Sequence, residues 1–525
     1  MNQQKGSIGD LLHLPQATGL TPLMALTQFT FACIAMGGFL FNQTLTIDEE
    51  LALFSDFDIS TQGRFTLEIL RRLLVPPSIL PLAPYVFLAT AYIFSYSTIL
   101  HLHGLRHNWK TLIGFLVFIL FPTNWLIQEW SSLAMALGVG LICSSLAALL
   151  TLESLRSGLS RSNRILHSIG AVVLLVFAIA TFQSQITLYL TIGAGVTLFS
   201  VAGSIGSTAS ARFSNLLHWF LHAFAALAAY LLTTKIYLLA TKQELQHVNI
   251  YFKSPYYMLR TDPINYLAGN LEQFFRTYFT PGWFYGFPLT ALALLVVGSI
   301  VLYMASAEKR THSMQTFQLR RGGLAVAGWV LLLGLPLALN IVSTPNRIPM
   351  RALFALPYVA WLVTMIWLEL AERFPRTRLL QLGTFLSCLL IFQSLVGISH
   401  YYAARALMQR SDQLVAGTIA AAMIAQPKQS QSVTHLLTKG EISRDNPYRT
   451  GWYSTAGSSF FGWDHGNSFR IASWLRAMGL PRLKTVGKAE VPRFEGVFSS
   501  MSNWPQPGSI KVEGRTLLVK LGPSD

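Results

Sequence analysis

The chain has 525 residues, of which 52% are hydrophobic and only 12% charged, with a mean hydropathy of +0.45. Soluble domains carry about 25% charged residues, so the composition excludes a soluble globular protein and implies a polytopic membrane one. The formal net charge of +16 does not point to nucleic acid, because the basic residues are spread over short loops and a long tail rather than gathered on one element.

Residues 1 to 20 are polar and lack the order of a signal peptide, which predicts a cytoplasmic N-terminal segment and a first apolar run retained as an anchor. Apolar runs of roughly 17 to 25 residues fit a bilayer core. About eleven are visible, near 21 to 41, 82 to 103, 110 to 127, 131 to 152, 167 to 183, 186 to 203, 214 to 238, 285 to 305, 322 to 342, 351 to 370 and 379 to 399. The stretch from 167 to 205 is almost continuous, with only Gln183-Ser184-Gln185 available as a turn; a single long, strongly tilted helix is the competing reading. The predicted fold is therefore an all-α multi-span domain over 21–399, followed by a tail over 400–525.

Orientation follows from the short loops. With the N-terminus inside, Arg106, Lys110, Arg156, Arg161, Arg164, Arg212, Lys309, Arg310, Arg320, Arg321, Arg373, Arg376 and Arg378 all fall on the cytoplasmic side. A loop over 42–80, a second over 239–284 and the whole tail then face outward. Cys33, Cys143 and Cys388 lie in apolar runs, so neither a disulfide framework nor a zinc site is expected. His101, His103 and His107 cluster on the inner side and read as a loop rather than as metal ligands.

The first outer loop begins with Thr46-Ile47-Asp48-Glu49-Glu50, continues through Asp56 and Asp58, and reaches Gly63-Arg64-Phe65. From Phe65 the apolar residues recur at helical spacing until Pro76-Pro77, which predicts an amphipathic interfacial helix. The second outer loop is rich in Tyr, Phe and Trp, and Pro255, Pro263 and Pro281 divide it into short helices. In the tail, 400 to 425 reads as a polar-faced helix and 426 to 433 as a connector. Residues 509 to 520 read as a hairpin, and the tail as a small α+β outer domain.

Acids beside the mouth of a membrane helix are costly unless used. Asp48 and Glu49 are the candidate catalytic residues, as a base for an acceptor hydroxyl; the plain alternative is that Asp48, Glu49 and Glu50 solvate a helix end. Asp56 and Asp58 are candidates for substrate binding or for capping the next helix. An outward-facing active site has no nucleotide sugar within reach, so a sugar donor there arrives on a lipid phosphate, which needs cations. Arg64 suits a phosphate through its forked donors, while Arg71 and Arg72 are better matched to lipid head groups. Lys235, near the outer end of its span, snorkels toward head groups or the substrate phosphate. Arg347 and Arg351 flank a span on the outside against the charge rule, and so call for a phosphate or a buried acid. Gln183 and Gln185 at the proposed turn, and Glu129 with Trp130, are candidates for sugar hydroxyls or ordinary turn residues.

Taken together, the acidic loop with Gly63-Arg64-Phe65, the Gln183-Ser184-Gln185 turn, the Asn346 to Arg351 stretch, Gly462-Trp463-Asp464-His465-Gly466-Asn467 and Met501 to Ser509 resemble the bacterial glucosyl transferase II family. The family comprises serotype-converting glucosyltransferases of O-antigen. The resemblance implies a GT-C-like fold in the bacterial inner membrane and a catalytic acid in the first outer loop. It also implies transfer of glucose or a related hexose from undecaprenyl phosphate to a lipopolysaccharide O-antigen on the periplasmic side. Its partners would be that lipid-linked donor, the glycan acceptor and membrane lipids. No cofactor is expected, since the donor carries its own leaving group; the alternative is Mg or Mn held by Asp48, Glu49 and Asp56. The rival functions are a flippase of polyprenyl-linked sugar, disfavoured because no acid lies in mid-span, and an O-antigen ligase or polymerase.

Overall fold

A computed structural model describes residues 18–38, 45–53, 59–74, 82–128, 130–156, 158–203, 209–243, 261–280, 289–308, 315–341, 350–374, 377–425, 431–443, 446–448, 455, 457–481 and 483–523. The chain divides into two compact units. The first comprises Met1–Phe41, Asp58–Leu74 and Leu80–Ile398, and the second Asn42–Phe57, Val75–Ile79 and Ser399–Asp525.

The regular elements among the first unit's described residues are all helices. Helix starts follow local chemistry: Thr21 accepts a hydrogen bond from the Met24 amide ahead of Pro22–Ala35, and Asn108 forms a reciprocal capping box with Thr111 at the head of Trp109–Leu120. Phe121 is extended because Pro122 follows it and starts a separate short helix, Pro122–Ile127. The long apolar stretch is broken at its predicted turn. Arg161–Ile179 ends, the Gln185 amide bonds the Phe182 carbonyl at 3.0 Å, and Gln185–Gly203 begins. In the second loop Pro263 occupies the first turn of Pro263–Phe279, capped by Asp262.

Among the described residues five helices are long and apolar enough to cross a membrane: Ala83–Leu102, Ser131–Ser154, Arg161–Ile179, Asn215–Thr241 and Thr377–Ala425. Six shorter apolar helices, Pro22–Ala35, Trp109–Leu120, Gln185–Phe199, Thr290–Ser306, Ala325–Asn340 and Leu356–Ala371, fall at the other predicted runs. Thr377–Ala425 is one continuous helix of 49 residues, where the sequence suggested a span and then a separate polar-faced helix. At 1.5 Å per residue it is about 70 Å long, more than twice the hydrocarbon thickness of roughly 30 Å. The polarity of the sequence changes near residue 400 without a break in the backbone.

Leu356–Ala371 is buried almost all round and forms the centre of this unit. Its polar edges are paired: the Trp361 indole donates to the Tyr96 hydroxyl at 3.1 Å, Tyr358 meets His103 at 3.0 Å, and Ser299 donates to the Val363 carbonyl at 2.7 Å. Lys110, read from the sequence as part of the cytoplasmic basic collar, is buried between Glu369 at 3.2 Å and Glu372 at 2.6 Å. Trp367 fills the space between Gly298 and Gly383, where a Cβ would lie 1.8 Å and 2.2 Å from its ring. Gly298→Leu is therefore expected to destabilise the protein by about 1–3 kcal/mol through overpacking, seen as a lower Tm in detergent. Trp367→Phe in the same chain should recover part of the loss, and a wild-type Tm for Gly298→Leu would show that this contact is not tight.

The second unit is an α+β assembly. Strands β1 (His435–Lys439), β2 (Lys484–Thr485), β3 (Ile510–Glu513) and β4 (Thr516–Lys520) form one sheet in the order β2-β1-β4-β3. The first two pairings are parallel, and β3 with β4 is the predicted hairpin, turning at Gly514-Arg515 with Glu513 opposite Thr516. Strand β4 lies inside the sheet and is apolar on both faces. On one face Leu436, Leu517 and Val519 pack with Phe461, Trp474 and Leu475 of the tail. The same core takes in Val415 and Ile419 of the long helix and Ile47 of the first loop. On the other face Leu437 and Leu518 pack with Phe494, Phe498 and Met501. The acidic segment, grouped by the sequence with the loops of the multi-span domain, thus belongs to the core of the tail unit.

Candidate active site

The acidic segment is a tight turn followed by the short helix Glu49–Ala52. Ile47 buries in the core and sets the turn's register. The Glu49 amide bonds the Thr46 carbonyl at 3.0 Å, while Glu49 Oε2 accepts from the Thr46 amide at 3.1 Å and the Thr46 hydroxyl at 3.0 Å. The Glu49 carboxylate thus closes the turn back onto Thr46, ahead of a helix whose N-cap is Asp48. Arg405 Nη2 lies 3.8 Å from the same oxygen, and both side chains are buried. Between them Asp48 adopts φ 85°, ψ −23°, left-handed for a non-glycine residue, at a cost of about 1–2 kcal/mol. Its side chain is 52% exposed.

Glu50 points the other way and is fully buried. One residue meets both: Arg470, in the helix Ser468–Ala477 that Asn467 caps through the Phe469 amide. Arg470 Nη2 is 2.9 Å from Asp48 Oδ1, Nη1 is 2.8 Å from Glu50 Oε1, and Nε is 2.6 Å from Asp464 Oδ2. Asp464 reaches this position because Asp464, His465 and Gly466 take successive left-handed conformations at φ 51°, 57° and 68°. Upstream, the buried Asp412 carboxylate accepts from the Ser459 hydroxyl at 2.5 Å and the Phe460 amide at 2.8 Å, anchoring the segment that leads into this corner.

Burial pushes the Glu50 carboxyl up to about 7, with Arg470 and a backbone hydrogen bond pulling it partly back. For Arg470, burial works against the cation, but Asp48, Asp464 and Glu50 together hold its pKa above the ordinary arginine value. Glu50 Oε2 is buried without a hydrogen-bond partner, a costly arrangement for an ionised oxygen and a comfortable one for a carboxyl that carries a proton near neutrality.

The other sequence candidates in the first unit divide into separate places. Arg64 stands with its Cζ 4.8 Å from the Phe182 ring centre. Gln183 Nε2 donates to the Gln62 carbonyl at 2.9 Å, and the Tyr230 hydroxyl donates to the Gly63 carbonyl at 3.0 Å. Gly63 has φ +77°, and a Cβ there would fall 2.3 Å from the Tyr230 hydroxyl, so the corner before Arg64 accepts only glycine. Arg351 lies over the Trp130 ring at 4.5 Å. Lys235 is exposed on Ala209–Thr241. Gln185 is buried between helices, where its Oε1 accepts from Ser144 at 3.1 Å. Arg71 and Arg72, matched above to head groups, both turn onto the buried Glu68, at 2.8 Å and 2.6 Å. Asp56, Asp58, Glu129 and Arg347 lie outside the described residues.

Among the described residues no group of three or more His, Cys, Asp or Glu side chains is arranged to hold a metal ion. Sequence reasoning missed the roles of Glu50, Arg470 and, although its motif was noted, Asp464. The local signal was the turn-forming Gly462 to Asn467 run placed just ahead of an arginine in the first turn of a helix.

Glu50 has a pH signature. Its folded value lies above its ordinary 4.5, so its contribution to stability is fully present below about pH 4.5 and is lost as pH rises through about 7. The Glu50→Gln variant is expected to flatten the Tm-against-pH curve of the purified protein across this window. An unchanged slope would place the titration elsewhere.

The glucosyl transferase GtrII family model matches residues 37–368, more than half of the chain. The matched segment takes in Asp48, Glu49, Glu50, Arg64, Gln183 and Arg351 and ends before Asp464 and Arg470. No curated protein and no solved structure matches the chain.

Proposed function

The chain belongs to the glucosyl transferase GtrII family, and from that membership we propose a glucosyltransferase that takes its sugar from undecaprenyl phosphate and gives it to lipopolysaccharide O-antigen or another surface glycan. In this reading eleven helices cross the bacterial inner membrane, and the first loop and the tail face the periplasm, an orientation supported by the distribution of Lys and Arg among the loops. Polyprenyl-linked donors fit that compartment because their sugar is delivered with its leaving group from the bilayer.

The single observation that carries the catalytic assignment is the turn at Asp48: an exposed carboxylate on strained backbone, held through Oδ1 by Arg470. Strain of this kind is maintained by its surroundings and concentrates at working sites. Glu49 is the weaker candidate, since its Oε2 is buried and already engaged by Thr46. Asp48 takes the proton of the acceptor hydroxyl as that oxygen attacks the anomeric carbon from the face opposite the phosphate. The bond from the anomeric carbon to the phosphate oxygen breaks, its electron pair leaves with undecaprenyl phosphate, and the sugar inverts. The leaving phosphate gains a negative charge in this step, which is where cations act. Arg64, Arg347, Arg351 and Lys235 are the proposed donor-phosphate ligands. Gln183, Asp56 and Asp58 are proposed to hold substrate hydroxyls, and Gln185 to support them from its buried position.

The test uses membrane vesicles carrying the full chain, undecaprenyl phosphate [14C]glucose and the O-polysaccharide of the source bacterium. Asp48→Asn is expected to lower kcat by about 100-fold or more, the range typical of a lost general base, with little change in donor KM. Glu49→Gln should act mainly on stability. If Asp48→Asn transfers glucose at the wild-type rate, Asp48 is not the base.

A further inference from the structure

Resting on that reading of Asp48, we propose that Arg470 is its positioning residue, so that the transfer machinery extends into the tail, beyond the segment that the family model matches. Three observations carry this. The guanidinium is only 15% exposed and uses Nε, Nη1 and Nη2 on three different carboxylates, which fixes its plane and leaves the Asp48 oxygen one place to sit. Asp48 begins its short helix without a side-chain capping bond of its own, so Arg470 is what orients the carboxylate. Finally, stability alone does not explain the pairing. A salt bridge to a half-exposed carboxylate adds little stability, while the chain holds left-handed backbone at Asp48 and again at Asp464 and His465 to bring the groups together.

The division of labour follows from the geometry. Glu50, buried beneath, and Asp464, on its left-handed corner, hold the guanidinium from two directions. The third direction is left for Asp48, whose Oδ1 lies 2.9 Å from Nη2. Arg470 itself makes no bond to substrate in this scheme; it acts through Asp48.

A purely structural arginine and a positioning one differ in how they combine with loss of the base. The experiment compares Arg470→Gln and Arg470→Lys, each alone and in the Asp48→Asn background, in the full-length protein in nanodiscs with polyprenyl phosphate [14C]glucose. Alone, Arg470→Gln is expected to lower kcat by about 10- to 100-fold, the cost of a mis-set catalytic group, with donor KM within about twofold. Arg470→Lys should fall between it and the wild type. In the Asp48→Asn background neither change should lower the residual rate further, because there is no base left to orient. An equal drop in both backgrounds, or a wild-type kcat for Arg470→Gln, overturns the proposal. Should Arg470→Gln fail to fold, the Arg470→Lys comparison across the two backgrounds separates the two roles in the same way. Failure of the base assignment is read separately, from Asp48→Asn alone.

Discussion

The guanidinium of Arg470 stands against the carboxylates of Asp48, Glu50 and Asp464, and the organisation of the tail unit follows from what such a group requires. A cation with so little solvent access needs compensation from every side. Two of its partners come from a turn that lies 420 residues away in the chain from Arg470, as the Glu50 bond shows. The turn must therefore be built into the same core as the helix that carries the arginine. Ile47 does this, sharing one apolar cluster with Trp474, Leu475 and the sheet. Because one positive charge faces three acids, at least one acid gains by keeping a proton, and burial selects Glu50.

The helical unit meets a different constraint, that of bringing helices together where little water competes for polar groups. It pairs small residues with large ones, as where Trp367 lies on Gly298 and Gly383, and joins buried hydroxyls and indoles to a neighbouring backbone or side chain, as with Ser299, Tyr358 and Trp361. Lys110 shows the cost of a charge in such a place: it is buried only because Glu369 and Glu372 both face it. Charge that reads in sequence as a topological signal is here also a packing element.

Much of the fold was legible because it is local. Apolar runs, the Gln183 turn, the amphipathic Phe65–Leu74 helix and the closing hairpin depend on periodicity and turn chemistry within a few residues. The continuity of Thr377–Ala425 was not, since hydropathy changes near residue 400 while no proline or cap stops the helix. At the candidate site the acids were conspicuous, but Glu50 could not be told from Glu49 in a run of three, because both are buried and which of them meets Arg470 rather than Arg405 depends on Ile47 and on a distant helix. Arg470 was invisible for the same reason. Gln185, a candidate for sugar hydroxyls or an ordinary turn role, accepts from Ser144 of Ser131–Ser154, a contact that only the packing of the helices reveals.

The placing of β4 inside the sheet has a consequence for biosynthesis. Strand β1 gains a full-length neighbour only when Thr516–Lys520 arrives, and the hydrophobic layer over which Ile47 settles includes Leu517 and Val519 of that late strand. A ribosome that has delivered all the apolar helices to the bilayer has still not supplied the surface on which the acidic turn rests. The turn that carries Asp48 would thus settle on its apolar support only once Thr516–Lys520, the last strand of the sheet, has been made.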